Sequence, residues 1–261
     1  MEHLVVFARA PRLGEVKTRL AATAPLSPVE CLGLYTAFLE DTVASALASP
    51  AAAVTLAFTP AEAEEEVAPL VAAVGGPEHR VTCVPQVGPD FDSRFQAAVE
   101  EAARRGGTRV VVVGSDAPLL TPHHLAAAFA FLRERGGLVL GPSGEGGTYL
   151  VGCRPADGLD FRGAFRDGVE LANLAALAAT RGLPLRLLEE VTDVDVQADL
   201  ITVLSILQAR EAARSYGETW MPRATWASLQ ALGLAVVRKD GGTREKVLTR
   251  QCTTARMAGG R

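Results

Sequence analysis

The chain has 261 residues, 48% of them hydrophobic and 21% charged, with a net charge of −4, enough apolar material for one large domain, or a domain with an appendage, around a sizeable core. That balance excludes a general attraction to nucleic acid or an anionic membrane, so a small anion is the expected partner wherever positive charge is locally concentrated. Cys31, Cys83, Cys153 and Cys252 stand far apart without a CxxC pair, which argues against a zinc site and gives no disulfide framework, and the absence of a leader-like start or an apolar run near the ~20 residues of a membrane span leads to an expected cytoplasmic location.

Strand and helix signals alternate with the period of βαβ units. Residues 3–8 read as a strand, and residues 28–48 as an amphipathic helix announced by a Ser27/Glu30 capping box and Pro28, with an apolar stripe of Leu32, Tyr35, Leu39, Val43 and Leu47. A strand at 54–58 leads into a second helix, predicted to start at residues 59–62 and to end before Gly75-Gly76. After a strand at 81–84, the loop 86–94 opens a helix to 105, and the continuous apolar run 110–113 is predicted to be the central strand. A helix follows from Thr121-Pro122 to Gly136-Gly137, then strands at 138–140 and 149–152 joined by the glycine-rich turn 141–147. A helix over 167–180, closed by Gly182, a late strand at 185–188 and a helix over 196–210 introduced by Asp195 complete the first domain, residues 1–210. Residues 211–261 are predicted to be a C-terminal extension with a helix at 226–232, a hairpin of 234–238 and 246–248 about Asp240-Gly241-Gly242, and a disordered end from 251. Trp220 and Trp226 in this extension are expected to cover a face of the same molecule.

Chemistry-bearing residues gather first in the segment FARAPRLGEVKTRL, where Arg9, Arg12, Gly14, Lys17, Thr18 and Arg19 follow the first strand. Cationic donors and free backbone N–H groups at that position suit a polyphosphate. A solvated basic turn would contain the same residues, but ligands of open α/β sheets collect at the carboxyl ends of strands, where this loop must lie. It is not a Walker loop, because Pro11 and Val16 stand where that pattern needs glycines.

Carboxylates come later in the chain. Gly114-Ser115-Asp116-Ala117-Pro118 places Asp116 at the carboxyl end of the central strand, and Asp193-Val194-Asp195 supplies a second candidate before the last helix of the domain. Mg²⁺ takes one or two carboxylates together with phosphate oxygens and water, so Asp116 and Asp195 are predicted to hold Mg²⁺ (or Mn²⁺) on a triphosphate. Each aspartate also has an ordinary reading, as a turn residue and as a helix cap. An α/β-hydrolase is excluded, since residues 141–145 miss the last glycine of GxSxG and no histidine follows late enough for the triad order.

Together, GEVKTRL (14–20), GSDAPLL (114–120), GPSGEGGTYLVG (141–152) and DVDVQADL (193–200) resemble the arsenosugar-biosynthesis-type glycosyltransferases of the nucleotide-diphospho-sugar transferase superfamily, over residues 3 to 207. That superfamily is similar in fold to molybdenum-cofactor and phospholactate guanylyltransferases. The resemblance implies a GT-A/Rossmann-like, mostly parallel sheet with helices on both faces. It implies Arg9, Gly14, Lys17, Thr18, Arg19, Gln86, Arg94 and Ser115 at the nucleotide, with Lys17, Arg19 and Asp116 catalytic, and Glu145, Gly146, Gly147 and Tyr149 at the acceptor. Here Glu145 replaces the usual aspartate of the glycine-rich turn, Val196-Gln197 replace the usual threonine and proline, and Asp92-Ser93 stand where a glycine is common. The expected activity is transfer of a nucleotidyl or glycosyl group from a nucleoside triphosphate or a nucleotide sugar to a small acceptor, with the density of cations tilting toward nucleotidyl transfer. A non-catalytic nucleotide-binding protein is the rival of another class, and a homodimer is left open.

Overall fold

The computed structural model describes residues 1–75, 81–217, 220–239 and 244–250. Strands β1 (Glu2–Arg9), β2 (Ala53–Thr59), β3 (Val81–Pro85) and β4 (Arg109–Gly114) are parallel, as are β5 (Leu138–Pro142) and β7 (Leu185–Leu187), while β6 (Thr148–Cys153) runs antiparallel to both neighbours. The seven strands are ordered β3-β2-β1-β4-β6-β5-β7, so the run of valines in β4 is central, as its continuous apolar pattern predicts. Because β1 lies between β2 and β4, the strand order reverses there, and the loops leaving the carboxyl ends of β1 and β4 diverge to open a crevice.

Helices cover both faces. Alternation along β1 sends Leu4, Val6 and Ala8 into one core and Val5 into the other. The first core is closed by α2 (Pro28–Leu47), α3 (Glu64–Gly75), α5 (Pro122–Glu134) and α7 (Gln197–Ala213), and the second by α4 (Phe91–Arg104) and α6 (Glu170–Thr180). The capping box expected for α2 is formed, with Ser27 Oγ accepting from Glu30 N–H at 3.3 Å and the Glu30 carboxylate accepting from Ser27 N–H at 2.8 Å.

The C-terminal extension contributes to the first core instead of building one of its own. Helix α8 (Arg223–Ala231) and the antiparallel pair β8 (Leu234–Arg238) and β9 (Lys246–Arg250) bury Leu229, Leu234 and Leu248 in it. Trp226 packs against the same cluster, on the same molecule as the sequence suggests. Helix α8 begins three residues before its predicted start because its cap comes from elsewhere: buried Asp41 of α2 accepts the N–H groups of Ala224 (3.1 Å) and Thr225 (2.7 Å). Local sequence holds no trace of such a cap.

Other boundaries move for local reasons. A turn over Pro60–Ala63 delays α3 to Glu64, and left-handed Asp167 and Gly168 delay α6 to Glu170. A short helix, α1 (Thr18–Thr23), lies within the cationic loop that the sequence reads as irregular. The expected turn at 240–242, the chain end from 251 and Gly76 lie outside the described residues. No helix among the described residues is long and apolar enough to cross a membrane.

Candidate active site

The crevice at the reversal of strand order is a cavity of about 430 Å³. It is lined by Arg9, Lys17, Thr18, Arg19, Gln86, Arg94, Ser115, Asp116, Tyr149 and Asp195, all named from the sequence. Gly14, Glu145, Gly146 and Gly147 are outside its lining, and Glu145 and Gly146 are exposed.

Lys17 is its centre. Its side chain is only 4% exposed, and its ammonium reaches Asp116 Oδ2 at 2.9 Å and Asp195 Oδ1 at 3.3 Å. Burying a long cationic chain is tolerated only when its charge is met, and two carboxylates meet it here. The backbone of Lys17 is left-handed, with φ of 51°, a conformation costing roughly 1–2 kcal/mol for a residue with a Cβ. That turn takes the chain into α1 while the Lys17 side chain doubles back to the strand ends.

Asp116 and Asp195, 79 positions apart in sequence, are held together by main chain, since Val194 N–H donates to Asp116 C=O at 2.9 Å. Asp195 is not the cap of α7. Asp199 accepts the N–H groups of Asp195 (2.9 Å) and Val196 (2.8 Å), leaving the Asp195 carboxylate to face Lys17 and Arg19, whose guanidinium lies 3.0 Å away. Both carboxylates remain partly open, with Asp116 41% and Asp195 44% exposed.

Tyr35 of α2, which the sequence reads only as part of an apolar stripe, pins the ends of β1 and β4 to each other. Its hydroxyl donates to Arg9 C=O at 2.7 Å, accepts from Arg9 N–H at 3.1 Å and lies 3.0 Å from Ser115 Oγ. Burial, reinforced by the Asp116 charge, pushes its phenol well above the ordinary range, so it stays a neutral strut. Asp193 also lines the cavity, accepting from Ser143 Oγ at 3.3 Å, and burial raises its carboxyl, with the Asp195 charge adding to the effect.

Arg12 does not join the site. It turns outward to Glu62 (3.2 Å) and Glu66 (2.7 Å) beside α3, so three of the four loop cations face the cavity. The Tyr149 hydroxyl donates to Glu189 C=O at 3.1 Å, and its ring occupies the space where a Cβ on Gly141 would collide. The cavity is also lined by an aromatic cluster that local patterning does not announce. Phe7, Phe91, Phe95 and Phe165 join there, Phe91 stacked on Phe95 and the other pairs edge to face or tilted, with Phe91 and Phe165 centroids 5.1 Å apart and Phe95 and Phe165 4.6 Å apart.

Two partly open carboxylates are a hard-oxygen donor set that suits Mg²⁺ or Mn²⁺ when phosphate oxygens and water complete the shell. Among the described residues no group of three or more His, Cys, Asp or Glu side chains forms a protein-only metal site, so any ion fitting here would be shared with a ligand.

Comparison with known proteins identifies relatives of the chain. Residues 42–166 match the family described as "Uncharacterized protein conserved in bacteria (DUF2064)". A phosphoenolpyruvate guanylyltransferase from Sphaerobacter thermophilus is 30% identical over 192 residues, 72% of this chain and 86% of that protein. A second, from Nocardia farcinica, is 31% identical over 194 residues, 72% of this chain and 80% of that protein. The crystal structure of a protein described as a nucleotide-diphospho-sugar transferase from Desulfovibrio desulfuricans G20 superposes with a TM-score of 0.72 at 24% identity, covering 88% of this chain and 95% of that one. The chain therefore belongs to one family with these guanylyltransferases, a family of nucleotide-using transferases.

Proposed function

We propose that this protein is a nucleotidyltransferase that moves a guanylyl group from GTP to a small phosphorylated acceptor, with a divalent ion on the triphosphate. The observation that carries the reading is the buried Lys17 ammonium gripped by Asp116 and Asp195, with Arg19 on the second carboxylate, at the carboxyl ends of β1 and β4. The kinship with phosphoenolpyruvate guanylyltransferases supports the choice of base and acceptor class.

In the proposed reaction a phosphoryl oxygen of the acceptor attacks the α-phosphorus of GTP in line, the α–β P–O bond breaks, and pyrophosphate leaves with the bonding electrons. The acceptor oxygen is already anionic, so no base has to remove a proton. The protein's tasks are alignment and neutralisation of charge on the departing pyrophosphate. Lys17 and Arg19 supply fixed positive charge, and Tyr35 holds the two strand ends at their spacing. Asp116 and Asp195 would hold Mg²⁺ or Mn²⁺, which when bound neutralises phosphate oxygens. The arsenosugar-type glycosyl transfer suggested by the four motifs would use the same diphosphate grip, and no observation in the site favours it.

Incubation with each nucleoside triphosphate, Mg²⁺ and small phosphorylated carboxylic acids tests the reading through pyrophosphate release. Release with GTP and one acceptor is expected. Turnover of a nucleotide sugar, without pyrophosphate from any triphosphate, overturns it.

A further inference from the structure

A second cavity, of about 680 Å³, opens where the N-terminal end of α5 meets the C-terminal end of α7. Thr121, His123, Arg210, Arg214 and Trp220 line it, and it shares no lining residue with the catalytic cavity. Its wall holds two guanidinium groups and an imidazole and, among the described residues, no carboxylate.

Arg210 is the group that needs an explanation. Its side chain is half-buried, and burial works against its charge, pulling the guanidinium below its ordinary value, yet a guanidinium keeps its proton inside a protein. Nη1 donates to Trp220 C=O at 3.2 Å, and among the described residues no Asp or Glu pairs with it. One carbonyl leaves the other N–H donors of the guanidinium for a ligand. A charge drawn out of water without a counter-ion is costly, so the position favours an anion.

The surroundings add to that preference. Arg214 stands at i+4 from Arg210, on the same side of the helix end, and its exposed pair with Glu211 at 3.5 Å is weak in water. On the other wall, α5 begins at Pro122, and the first turn of a helix carries partial positive charge on N–H groups without intrahelical partners. Planar guanidinium groups match phosphate oxygens through paired N–H donors.

We propose that this cavity is a second anion site, in which Arg210 and Arg214 take a phosphate group, free or at the head of a small phosphomonoester. The site stands independently of the guanylyl-transfer reading. Four residues, Ala117–Leu120, separate Asp116 in the catalytic cavity from Thr121 in this one, so an anion bound here sits at the far end of the segment that carries a catalytic carboxylate.

Trp220 supplies the probe. The chain has two tryptophans, and Trp226→Phe leaves the one in the cavity wall. Inorganic phosphate and phenyl phosphate are titrated against its fluorescence, with chloride at matched ionic strength as the control and calorimetry on the two-tryptophan chain as a second reading. A saturable response with a Kd of about 1 mM or tighter is expected. Arg210→Met should weaken it at least tenfold, the size of a lost charge-assisted hydrogen bond, and Arg214→Met, at a side chain 74% exposed, about threefold. Thermal melts establish that both variants fold, and Arg214→Met carries the test if Arg210→Met does not. Lys17→Ala should leave the response unchanged. Phenyl phosphate binding more tightly than inorganic phosphate assigns the site to a phosphomonoester, and the reverse order assigns it to free phosphate; both sustain it. A response no larger than that of chloride, one that persists in both arginine variants, or one lost in Lys17→Ala overturns the proposal.

Discussion

Two sets of aspartates organise this molecule, and they differ in who satisfies them. Asp116 and Asp195 at the cleft face Lys17 and Arg19 and stay over two-fifths exposed. Asp41, between α2 and α8, is 6% exposed and is met by backbone N–H groups of Ala224 and Thr225. A carboxylate wrapped in main-chain donors stabilises a docking and has nothing left to offer a ligand. One paired with a cation at a cavity wall keeps open lone pairs that phosphate-bound ions can use. Position in the fold, not residue type, separates structure from chemistry.

The sharpest break of that comparison is Lys17→Ala. It should lower GTP affinity at least tenfold, about 1.4 kcal/mol or more, and turnover by roughly 10²–10³-fold as the fixed charge on the leaving group is lost. Calorimetric titration and pyrophosphate release check both, and unchanged affinity would remove Lys17 from the phosphate grip.

Next in size is the structural counterpart, Asp41→Ala. Two N–H groups of α8 lose their acceptor, so stability should drop by about 2 kcal/mol while nucleotide affinity holds, as thermal melts with and without GTP would report. Its pH dependence sharpens the point. Burial raises the Asp41 carboxyl above its ordinary value of 3.8, with the Thr225 and Ala224 N–H groups pulling the other way. A raised value means that the fold favours the protonated form. The stabilisation this gives is complete below the ordinary value and is lost as pH climbs through the raised one. Asp41→Asn, which does not titrate, should therefore gain on the wild type across that interval and run parallel to it above. A difference independent of pH would show that Asp41 titrates alike in the folded and unfolded chain.

The smallest effect belongs to Arg19→Ala. At 63% exposure its pair with Asp195 is screened by water, and about a threefold loss in GTP affinity is expected. A loss as large as that of Lys17→Ala would mean that the outer cation carries as much of the grip as the buried one.

Much of the site was legible in the sequence because its residues follow strand ends, and strand ends are easy to read in an α/β chain. Lys17 and Asp116 were selected that way and Asp195 as a carboxylate before the last helix of the domain, and the structure brings both aspartates to one ammonium. Arg12 was counted with them, since nothing local tells that Glu62 and Glu66 draw it outward. Tyr35 carried the opposite ambiguity: helical spacing gives the face a residue presents, not whether its hydroxyl lands at the end of a strand.

By itself the sequence determined the alternation of elements, the central valine strand and the cations behind β1, because hydrophobic period and turn chemistry are local properties of the chain. Only tertiary structure decided that Asp195 would face Lys17 and Arg19, that Asp41 would dock α8, and that Gln86 would spend both amide hydrogens on β1 and β2. Each of these is a hydrogen bond whose partner is fixed by packing, and a polar side chain carries no mark in sequence of the donor or acceptor that burial will bring to it.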